Sequence, residues 1–326
     1  MTNRHLKFLA TAALLNACGT TVIQVQGNDS ATPDSATPDA ATQPDAATQP
    51  DVATQPDAAT TPDVARPDAA ADVAPDAVVT TDGGLPRFSF FVTSLAALRA
   101  LSGNANGFGG DLRYGETGPG AGLRGADRIC TAVAERSMPG SGAKVWRAFL
   151  SATDGGDGNQ VNAIDRVGNG PWYDRLGRLL ANNRTELLNT RPPNANPAII
   201  NDFPNEDGVP NHAPDPTMGQ VDNHDTLTGS NSQGQLYSRT ATCLDWTSAQ
   251  GTPATEGRPR VGHTWPRGGG PGGPGGGSGA HWINALDEAG CAPGVSLIEM
   301  GPPILSMPTV GSGGGYGAFY CFALSP

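Results

Sequence analysis

The sequence predicts an α+β domain with long irregular loops, closed by disulfides and carried behind a disordered stalk. Three observations predict it. A Pro-, Asp-, Ala- and Thr-rich repeat fills most of residues 19–84, a helix-period pattern runs into a strand-period pattern over residues 123–150, and four cysteines lie beyond residue 85. At 326 residues the chain is long enough for about two domains. The repeat has almost no large apolar side chains, so the whole core falls to residues 85–326.

Arg4 and Lys7 precede the apolar run Phe8 to Leu15, which is too short to span a bilayer and reads as a targeting segment. It ends in Leu15-Asn16-Ala17-Cys18, which resembles the bacterial lipobox. That resemblance implies a signal peptide over residues 1–18 and a lipidated Cys18 as the first mature residue. No other stretch is long and apolar enough to cross a membrane, so acyl chains would be the anchor, and stable anchoring needs more than one. Gly19 after the cysteine is compatible with passage to an outer membrane. The expected location is therefore the bacterial cell envelope, with inner leaflet, outer leaflet and cell surface all open.

Residues 19–84 repeat Ala-Thr-Pro-Asp and Ala-Thr-Gln-Pro-Asp units, with eleven Asp, one Arg and neither Glu nor Lys, and so carry −10 of the net −11. Such a segment cannot bury enough apolar area to offset chain entropy. Frequent proline biases it toward extended polyproline II, and at ~3.1 Å per residue it could reach on the order of 200 Å. It is expected to be a spacer. Gln43-Pro44-Asp45 and its copies at Gln49 and Gln55 match a sugar-and-calcium motif of some C-type lectins, but a disordered repeat gives those groups no fixed geometry.

Within residues 85–326 there are 20 acidic and 17 basic residues, a charge of −3 that does not favour nucleic acid as a partner. Arg87 to Ser94 is a β-rich run after Pro86 and is expected to be the first strand. Leu95 to Leu101 suits a short helix, and Ser102 to Gly122, rich in Gly and Asn, suits a loop. Leu123, Ala126, Ile129, Cys130, Val133 and Ala134 recur at three- and four-residue spacings, which predicts a helix ending near Arg136 with Cys130 on its buried stripe. Lys144 to Leu150 alternates, with Val145, Arg147 and Phe149 opposite Trp146, Ala148 and Leu150, and predicts a strand packed on that helix.

Setting Cys18 aside leaves Cys130, Cys243, Cys291 and Cys321. An exported chain with an even set should pair them all, and sequence alone permits three pairings. No Cys-x-x-Cys spacing supports a zinc knuckle or a thioredoxin-type redox site. Residues 268–279 are nearly all Gly and Pro; they contain formal Gly-x-Gly-x-x-Gly matches but follow no strand, so they read as a flexible insertion.

Gly122-Leu123-Arg124-Gly125-Ala126-Asp127-Arg128-Ile129-Cys130, followed by Trp146-Arg147-Ala148-Phe149-Leu150-Ser151, resembles the corresponding helix and strand of endostatin, the C-terminal domain of certain collagens. It is also similar to bacterial lipoprotein domains of unknown function with a C-type-lectin-like fold. Ala163 to Arg166, Gly170 to Tyr173, Thr228 to Gly234, Cys243 to Ser248 and Phe319 to Phe322 continue the likeness in family order, so that it covers most of Phe88 to Ala323. Within it, Cys243-Leu244-Asp245-Trp246 looks like the family's Cys-x-x-Trp strand. The resemblance implies a C-type-lectin-like fold for residues 85–326 and nested bridges, Cys130 to Cys321 and Cys243 to Cys291. Endostatin's zinc ligands lie chiefly in a His-rich N-terminal segment, whereas Leu85 to Ser102 has no His, so that zinc site is not carried over. Arg258, Arg260 and Arg267 lie close in sequence, yet the charge of −3 weighs against glycosaminoglycan binding. Sugar-binding C-type lectins place a Glu-Pro-Asn or Gln-Pro-Asp loop beside Trp-Asn-Asp to ligate calcium, and residues 85–326 contain neither motif.

Asp202, Asp207, Asp222 and Asp225 sit in an Asp- and Asn-rich stretch with oxygen ligands of the kind calcium takes, beside the plainer reading of a solvated loop turned by Pro204, Pro210, Pro214 and Pro216. The spacings of His212, His224, His263 and His281 match no closed zinc site. No Gly-x-Ser-x-Gly, His-Glu-x-x-His or Walker loop points to an enzyme. The expected function is non-enzymatic: display of a module whose loops, with Trp172, Tyr173, Trp265, His281 and Trp282, bind a glycan or protein, core packing being the competing role for those aromatics. Scaffolding without a small ligand is the alternative, and behind it a paired-carboxylate hydrolase within Asp202 to Asp225, for which no second element identifies a partner across a cleft.

Overall fold

The structure is a computed structural model that describes residues 81–82, 85–211, 224–265, 281–297 and 302–326. The chain divides into two units, residues 1–69 and 70–326, and every described residue lies in the second. The leader, Cys18, nearly all of the expected stalk, His212, Asp215, Asp222, Arg267 and the Gly-Pro run therefore lie outside the described residues. Among the described residues no helix is long and apolar enough to cross a membrane.

The described part is a mixed α/β domain. Short strands β1 (Thr81–Asp82) and β2 (Leu85–Pro86) pair antiparallel. The main sheet uses β3 (Phe90–Val92), β4 (Trp146–Ala148), β7 (Asp225–Leu227), β8 (Arg260–His263), β9 (Leu286–Asp287) and β10 (Gly315–Ala323). Its order is β3-β10-β7-β8-β9, with β4 also pairing with β10. A separate ribbon joins β5 (Trp172–Tyr173) to β6 (Leu179–Ala181). β10 is the hub: it runs antiparallel to β3 and β4 and parallel to β7, and all nine of its residues are buried.

The helices follow from their sequences. α1 (Leu95–Ser102) is capped by Ser94, whose hydroxyl accepts the Ala97 N–H at 3.0 Å, and it ends at Gly103 with φ 66°. α2 (Ala121–Ser137) buries Leu123, Ala126, Ile129, Cys130, Val133 and Ala134, the stripe its spacing predicts. Its first turns press on other backbone: a Cβ at Gly125 would stand 2.0 Å from the Arg113 carbonyl oxygen, and one at Gly122 2.1 Å from that of Asp245. Glycine at these positions is what lets the helix seat. α3 (Ala163–Arg166), α4 (Arg184–Leu187) and α6 (Pro253–Glu256) are single turns.

Both bridges are nested. Cys130 on α2 joins Cys321 on β10 with Cα atoms 5.6 Å apart, and Cys243 joins Cys291 with Cα atoms 5.7 Å apart. The first strand is shorter than its β-rich run, and β4 stops at Ala148; Phe149 and Leu150 are then both buried, so the alternation expected through Leu150 ends two residues early. The expected Cys-x-x-Trp strand is not a strand. Cys243–Trp246 forms a left-handed turn, α5, with φ values of 49°, 54°, 55° and 64°. What holds it is the Asp245 carboxylate, which accepts from Thr153 N at 2.6 Å, Asp154 N at 3.1 Å and the hydroxyls of Thr153 and Thr242.

The core is aromatic. Phe90, Phe149, Trp172, Phe203, Trp282, Tyr320 and Phe322 form one connected set of ring contacts and Phe88, Phe91 and Trp146 a second, all of them buried. Each buried tryptophan spends its one N–H on a backbone carbonyl: Trp146 on Ser141, Trp172 on Val167, Trp246 on Ser151 and Trp282 on Leu187.

Candidate functional site

Two places in the domain gather chemically capable side chains. The first lies where β7 meets β8. Their register sets Asp225 directly opposite His263, and His224 immediately precedes β7. Asp225 Oδ1 lies 3.0 Å from His263 Nε2 and 3.4 Å from His224 Nε2, and the two imidazoles meet edge to face at 4.0 Å between centroids. His224, Asp225 and His263 are at most 2 % exposed. Glu288, just after β9, is also wholly buried, and its Oε2 accepts from Ser312 Oγ at 2.8 Å and Gly313 N at 2.9 Å. A Cβ at Gly313 would stand 2.6 Å from Asp225 Oδ2 and 3.4 Å from Glu288 Oε2, so the backbone there closes directly over both carboxyls.

Burial pushes Glu288 well above the usual carboxylate range, and the charge of Asp225 adds to the push. Burial would raise Asp225 as well, but His224 and His263 more than offset it and hold it low. The two neighbouring carboxyls are therefore pushed in opposite directions.

The second place is a groove between the outer face of α2 and β4, about 440 Å³ in volume, lined by Glu116, Arg124, Asp127, Arg128, Lys144 and Arg147 among others. Arg124 and Arg128 share the one Glu116 carboxylate, at 3.1 and 3.0 Å, and their hydrogen bonds hold that carboxyl below its ordinary range. Asp127 is mostly committed to Arg166 at 2.8 Å, leaving Arg147 at 3.4 Å from its second oxygen. Burial raises Asp127 more than these arginines lower it. An adjoining hollow of about 510 Å³ is lined by Tyr114, Arg128, Thr131, Ala132, Glu135 and Gly142. Arg128 stacks 5.5 Å above the Tyr114 ring, and Tyr114 itself sits at φ 45°, a backbone region that non-glycine residues rarely adopt. Four cations against two carboxylates make the groove locally positive in a domain whose net charge is −3.

The residues singled out from sequence disperse. Trp172 and Trp282 are core residues, 1 % and 0 % exposed, and offer no face to a ligand. Half-buried Tyr173 accepts from Arg87 Nη1 at 3.1 Å on the β5 ribbon. Trp265 and His281 come to the end of β8: the Trp265 ring packs 5.1 Å from that of His224, and the His281 carbonyl accepts the His263 N–H. Of the suggested calcium ligands, Asp207 is exposed and Asp202 half-buried, and the one convergent group of metal-capable side chains among the described residues contains Asp225 but neither of them. Arg258 and Arg260 are spent structurally, Arg258 on the Asp287 and Glu288 carbonyls and Arg260 on Asn284 and Asp287.

The groove went unseen in the sequence, although Arg124 and Arg128 stand four apart on the polar side of the α2 stripe and Arg147 on the polar phase of β4. That combination was the available signal. A scan against protein-family models and a search of curated proteins gave no match to this chain.

Proposed function

We propose that this chain is an outer-membrane lipoprotein, anchored through acyl chains on Cys18, that displays a C-type-lectin-like, endostatin-like domain and binds an acidic glycan without catalysis. The observation that carries the binding is the α2–β4 groove, where Arg124, Arg128, Lys144 and Arg147 face two carboxylates beside the Tyr114 ring. Guanidinium forks match carboxylate, sulfate and phosphate groups, and an aromatic face beside them suits the apolar side of a sugar. The arginines of the groove are 38–56 % exposed, so a ligand can reach them without unfolding anything. Residues 1–18 support the anchor through the lipobox resemblance, and the nested bridges support the family reading.

The test is an array of acidic and neutral glycans probed with the full chain, followed by calorimetry on retained species. Acidic glycans should be retained, binding should weaken as salt rises, and Arg128→Ala with Arg147→Ala should cost about tenfold or more in affinity, on the order of 1.4 kcal/mol. Equal retention of neutral glycans, or affinity unchanged in the double variant, would remove the groove from the proposal.

A further inference from the structure

We propose that His224, Asp225 and His263 supply three donors to one buried zinc ion, water completing its four-coordinate shell, with Glu288 as the positioning residue behind Asp225. The geometry carries it. One donor atom from each of the three side chains lies within 4.8 Å of the others, and the two measured approaches to Asp225 Oδ1 are 3.0 and 3.4 Å. Donors at ~2.0–2.1 Å from a tetrahedral zinc stand roughly 3.3 Å apart, so the set needs little movement to close on an ion.

A second observation comes from the carboxyls. Asp225 and Glu288 are both wholly buried and lie against each other, and the other close neighbours of Asp225 are the two imidazoles. Two acidic groups buried side by side are costly to keep, and a cation held between the two imidazoles and Asp225 would offset that cost. Glu288 is fixed by Ser312 and Gly313 and lies against Asp225, which is the arrangement of an outer carboxyl that orients a ligating one.

Two imidazoles and one carboxylate select a borderline cation such as zinc over calcium or magnesium, which take oxygen ligands. With every ligand at most 2 % exposed, the ion would pin β7 to β8 rather than meet a substrate. The site differs from the one the family resemblance implies, whose His-rich segment has no counterpart in residues 85–102. It is also independent of the groove, so glycan binding and metal binding can fail separately.

The full chain, purified without a metal-binding tag, is dialysed and analysed by elemental mass spectrometry, then loaded with cobalt(II) after chelation. One zinc per chain should remain after dialysis. Cobalt should give a visible spectrum typical of four-coordinate nitrogen and oxygen ligands, and chelation should lower the melting temperature reversibly. His263→Ala and the shape-preserving Asp225→Asn should each weaken metal affinity at least 100-fold, Glu288→Gln about 10- to 100-fold, and His281→Gln not at all. A chain that retains no zinc and takes up no cobalt overturns the proposal, and so does a cobalt spectrum that Asp225→Asn leaves unchanged.

Discussion

His281 stays neutral far below the pH at which a free imidazole charges. Burial lowers it from 6.5 to about 4, and the nearby Arg191 guanidinium lowers it further. Its Nδ1 also accepts the Ile283 N–H at 3.1 Å, a bond that protonation there would abolish. Because the folded value lies below the unfolded one, the unfolded chain binds more protons between about pH 6.5 and 4. The stability linked to His281 is thus complete above pH 6.5 and is lost as pH falls through that window. Urea unfolding followed from pH 7 to 4 should show this loss, and His281→Gln should flatten that share of the slope while leaving the midpoint at pH 7 nearly unchanged. An identical slope in the variant would mean that His281 keeps an ordinary titration.

At the scale of the element, α5 shows how side-chain hydrogen bonds can override backbone preference. Left-handed residues other than glycine cost about 1–2 kcal/mol each, and four stand in succession from Cys243 to Trp246. Asp245 gathers four donors, Trp246 is buried with its indole on the Ser151 carbonyl, and Cys243 is bridged. Asp245→Ala should therefore lower stability by roughly 2–3 kcal/mol in denaturant unfolding, well above the ~0.5 kcal/mol of an ordinary surface change. A loss within that ordinary range would mean that the turn is held by its neighbours alone. This turn was illegible in the sequence because nothing in Leu244 or Asp245 advertises a positive φ; the conformation comes from partners at Thr153 and Asp154, some 90 residues away in the chain. α2 was legible to within two residues, since a helix carries its burial pattern in its own spacing. β4 was legible only in phase, because where a strand stops depends on its neighbour β10.

At the scale of the whole molecule, the two bridges divide the work of closure. In the chain-entropy account a loop of 191 residues is worth about 5 kcal/mol and one of 48 residues about 4. Cys130→Ser with Cys321→Ser should thus cost only ~1 kcal/mol more than Cys243→Ser with Cys291→Ser when melting is compared under oxidising conditions. A much larger gap would assign the long bridge a packing role at the α2–β10 contact instead. The candidate sites were legible by parts. The sequence offers Asp225 as an oxygen ligand, while the spacings of His224 and His263 match no closed zinc site; only the β7–β8 register sets them face to face, and register is a property of the sheet. The groove was hidden by averaging: a net charge of −3 over residues 85–326 says nothing of where sixteen arginines stand.

The nested connectivity bears on the order of events as the chain is made. Cys130 is followed first by Cys243 and only later by Cys291 and Cys321, so oxidation in order of appearance would join the first thiol to the second and the third to the fourth. Both products are wrong. The polypeptide must therefore either keep Cys130 reduced until Cys321 arrives or have its early crosslinks rearranged by thiol exchange. Its maturation therefore calls either for delayed oxidation of the first thiol or for a route that exchanges one sulfur pairing for another.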